Sequence, residues 1–319
     1  MEERDRPICP KCGYDQTGEV ATWGTQCPTR GICTECGLVF NWSYVMRPEL
    51  GQVAWYVEHA RGLRSFVWRS LRTPFHLILP HRFWKQLDPA KPVSIVRLVL
   101  WVILALFIVH TLVAIPNGYN AWIRSSWNWS RVTFQQYQQM HGNYAYAEML
   151  FDGYFYPYLD AIPRPWSQQS SHKWTLDIRR GWHFRVGHSH SPHIVSAGML
   201  LLWSIVLLAI PHTRRLSKLR ARHVVRAIIL SIFMIAMSYE LTHLIRTMYE
   251  LDWIPRAAFP VLDGLPVMFC WVWLLVFWGC AVHLGWFIRP SRLLIALGTI
   301  ASILGGTTLS VYIFIITTS

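Results

Sequence analysis

The chain has 319 residues, of which 53% are apolar and only 15% charged, and it carries 18 tryptophans. That composition excludes an ordinary soluble protein and suits a multi-pass membrane protein, whose tryptophans sit among lipid headgroups. The net charge of +13 comes from basic residues that flank apolar segments rather than line one soluble face. Anionic lipid headgroups are therefore the expected partner, and nucleic acid is not.

The chain begins with a polar head, residues 1–50, that has no apolar core of a cleavable signal peptide. It contains Cys9, Cys12, Cys27, Cys33 and Cys36, while Cys270 and Cys280 lie in an apolar stretch. No candidate outer loop holds a cysteine, so no disulfide framework is expected. Cys9-Pro-Lys-Cys12-Gly and Cys33-Thr-Glu-Cys36-Gly are two C-x-x-C-G knuckles. Such turns aim two thiolates at one ion, and the glycine accommodates the tight backbone behind the second ligand. Two of them supply a closed tetrahedral Cys₄ cage, which suits a structural Zn²⁺; an iron centre or a redox dithiol are the competing readings. Cys27 is either an alternative ligand or a spare, buried thiol. The head mixes acids with its basic residues, so it offers no phosphate-binding face.

Residues 51–92 read as a basic connector. Val53 to Leu71 places Val53, Tyr56, Val57, Ala60, Leu63, Val67 and Leu71 at helical spacing, with Arg61, Arg69 and Arg72 largely off the stripe. This predicts an amphipathic helix lying in the inner membrane interface, or one packed on the head. TPFHLILPHRFW follows, too short to span, and reads as an interfacial elbow.

The CPKCGYDQTG and CTECG motifs, with WYVEHAR, LILPHRFWKQLDPAKP and RLVLW after them, resemble the head and connector of uncharacterised bacterial multi-pass membrane proteins that carry a CPxCGYD…CxxCG zinc ribbon. The resemblance covers about Cys9 to Trp101 and is looser in the connector. This chain departs from the pattern by a long insert between the knuckles and by Thr34 where proline is usual. The resemblance implies the architecture and the ligands Cys9, Cys12, Cys33 and Cys36; it implies no activity.

Five segments are long and apolar enough to cross a bilayer at about 1.5 Å per residue against a core of about 30 Å. They are Val93–Ile115, ended by Pro116-Asn117-Gly118; about Ile194–Ile210; Val224 to about Thr247; Pro266–Ile288; and Leu293–Ile316. The last four form a helical bundle over residues 193–319. The expected fold class is thus an all-α polytopic membrane protein of about five transmembrane helices with a small N-terminal β-type zinc ribbon. PHTRRLSKLRARH between the second and third segments is strongly basic, RPSR before the fifth is basic, and YELDWIPRAAFPVLDG after the third is net acidic. By the positive-inside rule the N-terminal head faces the cytoplasm and the C-terminus the outside of an inner cell membrane. The connection 116–192 is aromatic-rich and long enough to need structure of its own on the outer face.

One polar group lies at membrane depth. Glu240 is about 10 Å inside the outer end of the third segment, and a charged carboxylate there costs about 2.5–3.5 kcal/mol on insertion, so it needs a partner. His243 shares its helix face, His110 lies in the outer third of the first segment, and His188 and His190 belong to HSHSPH just outside the second. Together they form a candidate second polar or metal site, against the simpler reading of paired or solvated side chains. No HExxH, G-x-S-x-G, Walker or CxxCH motif is present, which leans away from an enzyme. The expected role is a scaffold, sensor or assembly component whose zinc head binds a soluble partner. The alternative is an intramembrane metal-dependent enzyme built on Glu240, His243, His188 and His190.

Overall fold

The computed structural model describes residues 6–87, 89, 91, 93–128, 154, 191–208, 218–288 and 291–318. The head comprises α1 (Thr17–Ala21), strands β1 (Arg30–Ile32) and β2 (Val39–Asn41), which pair antiparallel, and α2 (Trp42–Met46). Helices α3 (Leu63–Leu77) and α4 (Pro80–Gln86) form the connector. The long apolar helices are α5 (Ile95–Asn128), α6 (Ser191–Leu208), α7 (Ala221–Glu250), α8 (Phe259–Cys280, continued by a π-helical turn Ala281–Gly285) and α9 (Ser291–Thr318).

Among the described residues four helices are long and apolar enough to cross a membrane: Ile95–Tyr119, Ala221–Glu250, Phe259–Gly285 and Arg292–Leu309. The expected second span is represented by a shorter apolar helix, His193–Leu207, and residues 209 and 210 lie outside the described set. Two other expectations are corrected. Helix α5 does not stop at Pro116-Asn117-Gly118 but continues to Asn128. A proline inside a membrane helix frees one carbonyl, which neighbouring groups can satisfy. The connector helix does not begin at Val53: Val57–His59 is a short 3₁₀ turn, and the helix starts only after Gly62, whose φ of +82° breaks the chain direction. Most of the predicted outer structure, residues 129–190, lies outside the described residues.

The chain forms two compact units. The first contains Met1–Ala105, Val195–Met234 and Trp271–Thr307, and its core is aromatic. Trp84 packs on Phe277 and Trp286 with ring centroids at 5.2 and 5.6 Å, and Trp203 stacks on Trp278 at 5.8 Å. Gly298 and Gly306 of α9 let α6 come close. A Cβ at Gly298 would fall 2.4 Å from Trp203, and one at Gly306 would fall 2.8 Å from the Val195 carbonyl. In lipid, Leu-on-Leu contact brings no hydrophobic gain, so helices associate through such small-residue approaches.

The same unit buries an ion pair. Arg226 Nε of α7 lies 2.8 Å from Glu58 Oε2, with both side chains almost fully inaccessible, and the other Glu58 oxygen accepts the Ser94 amide just before α5. In the second unit (Leu106–Ile194, Ile235–Cys270 and Thr308–Ser319) polar side chains are also matched. Thr247 donates to Asn117, Ser238 donates to the Pro266 carbonyl at 2.8 Å, and Arg246 forks onto Asp263 at 2.6 and 3.0 Å.

Removing one member of a buried ion pair strands the other charge, at a cost of about 3–5 kcal/mol. Glu58→Ala should therefore lower unfolding stability in detergent by about that amount, and Glu58→Met combined with Arg226→Met should recover most of it. A loss below about 1 kcal/mol in the single variant would mean that water reaches Arg226.

Candidate metal centre

The two knuckles adopt one backbone pattern. In the first, Ile8 bridges Asp15, the Cys9 amide donates to the Tyr14 carbonyl at 2.8 Å, and the Gly13 amide donates to the Cys9 carbonyl at 2.9 Å. In the second, Ile32 pairs with Val39, the Cys33 amide donates to Leu38 at 2.9 Å, and the Gly37 amide donates to Cys33 at 2.8 Å. Gly13 and Gly37 sit at φ +85° and +66°, the left-handed turn for which the sequence provides glycine.

This repetition brings the sulfurs of Cys9, Cys12, Cys33 and Cys36 within 4.8 Å of one another. Cys9 and Cys36 are 3.7 Å apart, and Cys12 and Cys33 3.6 Å. A tetrahedron with metal–sulfur bonds of about 2.3 Å has edges of about 3.8 Å, so the cage fits a four-coordinate soft metal ion. Four thiolates cannot coexist here without a cation. The hydrogen bond from Cys36 holds the Cys9 thiol down at about 5, whereas burial pushes Cys12 up to about 11, and Cys36, as the donor to Cys9, is pushed up strongly. A metal bound by all four sulfurs would take them as thiolates, so its binding would release protons.

Sequence reading missed the support around the cage. Gln16, almost fully buried, donates its amide to Cys33 Sγ at 3.2 Å, the kind of outer contact that orients a ligand. A glutamine beside a knuckle has no pattern that separates it from a surface residue. The insert between knuckles, including α1, brings Trp23 edge-on against Trp42 at 4.7 Å, and Leu38, Phe40 and Trp42 bury themselves with Cys9 and Cys33. Cys27 is exposed, close to the Pro28 carbonyl and outside the cage, which corrects its expected burial.

Both knuckles rest on the start of α7. The Lys11 carbonyl accepts the Arg220 amide at 2.9 Å, and the Pro10 carbonyl accepts His223 Nε2–H at 2.9 Å and Arg222 at 3.2 Å. Lys218 Nζ pairs with the Glu35 carboxylate at 2.8 Å and also reaches its backbone carbonyl. Gly13 lies so close that a Cβ there would fall 2.6 Å from Arg220 Nε.

The second candidate site is only partly assembled. His110 Nδ1 lies 3.1 Å from Glu240 Oε1, and its Nε2–H donates to the Tyr154 carbonyl at 2.8 Å. His243 meets the edge of Tyr239 at 4.4 Å, and Tyr239 also meets His193 at 4.9 Å. His188 and His190 lie outside the described residues. Among the described residues the four cysteines are the one group of three or more metal-competent side chains within reach of a single ion.

The chain thus joins apolar helices of membrane-crossing length to a metal-competent cysteine head, an arrangement consistent with a membrane protein. Comparison with protein families, with curated proteins and with solved structures found no match to the chain.

The two knuckle glycines differ in one testable way. Nothing lies within 4 Å of a Cβ at Gly37, whereas Gly13 faces Arg220. Gly37→Ala should cost only the backbone penalty of about 1–2 kcal/mol. Gly13→Ala should cost that and also loosen the head, seen as faster tryptic cleavage after Arg220 in the full-length protein. Equal cleavage in the two variants would count against the contact.

Proposed function

We propose that the head is a structural zinc ribbon on the cytoplasmic side of a multi-pass membrane protein, and that the protein is a scaffold, sensor or assembly component rather than an enzyme. The observation that carries this reading is the closed cage seated on the basic start of α7. All four tetrahedral positions are taken by sulfur, so a bound ion has no open position for substrate. Zn²⁺ with four thiolates carries two net negative charges. Lys218, Arg220, Arg222 and the positive end of the α7 backbone dipole oppose them. These basic residues belong to the segment that the positive-inside rule keeps in the cytoplasm, where thiols stay reduced. Inner-membrane location, with the C-terminus outside, follows from the same rule.

The head also has a free apolar face for a soluble protein partner. Ile32 and Val39 stand opposite each other across the two strands and are 65% and 59% exposed. An exposed apolar pair like this suits protein contact better than solvent. The resemblance to ribbon-headed bacterial membrane proteins agrees with this architecture.

The metalloenzyme reading rests on the His110–Glu240 contact. Metal analysis separates the two. Purified full-length protein should hold one zinc per chain, lost in Cys9→Ser and unchanged in Glu240→Ala. A second equivalent that disappears in Glu240→Ala would replace the scaffold reading with the enzyme one. Chelation should also expose Lys11 and Lys218 to trypsin, because metal binding supplies folding energy that so small a head lacks; resistance after complete zinc removal would contradict a structural role.

A further inference from the structure

Helices α3 and α4 fold back on each other around Trp55, which stacks on His76 of α3 at 4.0 Å and donates Nε1–H to Gln86 of α4 at 2.5 Å. One face of α3 is committed to this packing. Arg69 donates to the carbonyl of His59 at 2.6 Å, the Thr73 hydroxyl accepts the Val57 amide at 3.0 Å, and Leu77 is fully buried. The other face is apolar and open. Leu63, Val67, Trp68, Leu71 and Phe75 are each more than half exposed, and Ile78 and Leu79 at the turn nearly so.

The hairpin is fastened to a membrane-length helix. The Leu77 carbonyl accepts the indole N–H of Trp273 at 2.9 Å. Trp273 stands twelve residues before Gly285 in the apolar stretch Phe259–Gly285, about 18 Å of helix from that end. Trp84, one turn into α4, packs instead on Phe277 and Trp286, nearer the end. So the turn at Ile78–Leu79 sits beside Trp273, and α4 returns from there toward the Gly285 end. The backbone of the turn is satisfied internally, as hydrocarbon requires: Ile78 donates to Pro74, Leu79 to His76 and Phe83 to Leu79. Residues 61–87 contain Arg61, Arg64, Arg69, Arg72, Arg82 and Lys85 and no acid. Arg72 lies 4.5 Å over the Trp68 ring, a cation–aromatic pair of the kind that anchors at headgroups.

We propose that α3–α4 is a re-entrant hairpin inserted into one leaflet, its open stripe covered by lipid acyl chains and Arg61, Arg64 and Lys85 held at anionic headgroups. It enters and leaves by the same face and does not cross. The occupant is lipid because the hairpin is tied at Leu77 to a membrane-length helix, and because residues 61–87 are cationic without an acid of their own. This inference rests on the membrane reading of the long helices and deepens it.

The test places a photo-reactive benzoylphenylalanine singly at Phe75, Leu79, Leu63, Ile103 or Ile32 of the full chain in phosphatidylethanolamine–phosphatidylglycerol vesicles. Ile103, on the open side of α5, reports the bilayer, and Ile32, on the head, reports solvent. Lipid adducts at Phe75 should come within about threefold of those at Ile103, with almost none at Ile32. Adducts at Leu79 should fall further along the acyl chain than those at Leu63. Phe75 behaving like Ile32 while Ile103 is labelled, or cross-linking to a second copy of the chain, would overturn the proposal. Adducts at Leu79 and Leu63 on the same acyl carbons would overturn the re-entrant geometry. Failure at Ile103 itself would overturn the membrane reading instead.

Discussion

The constraint on which the rest depends is the crowding of four thiols into a cage in which Cys9 and Cys36 lie 3.7 Å apart and Cys12 and Cys33 3.6 Å. With no cation, four deprotonated sulfurs at this spacing would repel one another. With a divalent soft metal, the same atoms form four strong bonds, and two turns 20 residues apart become one rigid piece. The head needs that, because its own core is little more than Leu38, Phe40, Trp42 and the flanking Trp23. Rigid knuckles then present the Pro10, Lys11 and Glu35 carbonyls outward in fixed directions, where the start of α7 meets them. One turn further along α7, Arg226 holds Glu58, and Glu58 holds the amide of Ser94 at the base of α5. A continuous line of polar contacts therefore runs from the sulfur cage to the first membrane-length helix, within a single compact unit.

That line changes what the basic segment means. Lys218, Arg220 and Arg222 count toward orientation in the sequence, yet each contributes to holding the head. Lys218 even adopts φ +44°, a left-handed conformation that costs a non-glycine residue about 1–2 kcal/mol. In that conformation its side chain reaches Glu35. In the proposed reading, retaining positive charge on the inner side and docking an anionic metal cage would be compatible demands on the same residues.

The cage was legible because its determinants are local: ligands two residues apart and a glycine behind each pair are enough to specify a knuckle. The long helices were legible by length; counting depth along them put His110 and Glu240 at a similar level but did not say that they meet. The connector was not. Val53, Tyr56, Val57 and Ala60 match a helical period, but most of them are buried by packing around a 3₁₀ turn, and Gly62 restarts the chain at positive φ. A spacing of three to four residues arises from any tight coil that buries one side. Pro116 misled for a related reason. It reads as a helix stop in water, where a freed carbonyl finds solvent and the chain can turn; inside a membrane-length helix the lack of water favours continuing. The Glu58–Arg226 pair had no sequence signal, because its members belong to separate segments and neither has a local pattern that announces burial.

The paired polar groups of the second unit have an explanation that needs no chemistry. His110 meets Glu240 and Asn117 meets Thr247, and both pairs are separated by 130 positions. The two contacts are thus two helical turns apart on α5 and two turns apart on α7, on nearly the same face of each, with the helices running parallel. Apolar side chains in lipid pack almost equally well after a one-turn slip, so they specify register weakly. Two polar pairs at matching spacing do not tolerate that slip, because each would leave an unsatisfied carboxylate or amide in hydrocarbon. The His110 ring fits this role: Nε2–H donates to a carbonyl while Nδ1 faces the carboxylate. A carboxylate at membrane depth thereby finds its partner and sets the alignment of two helices.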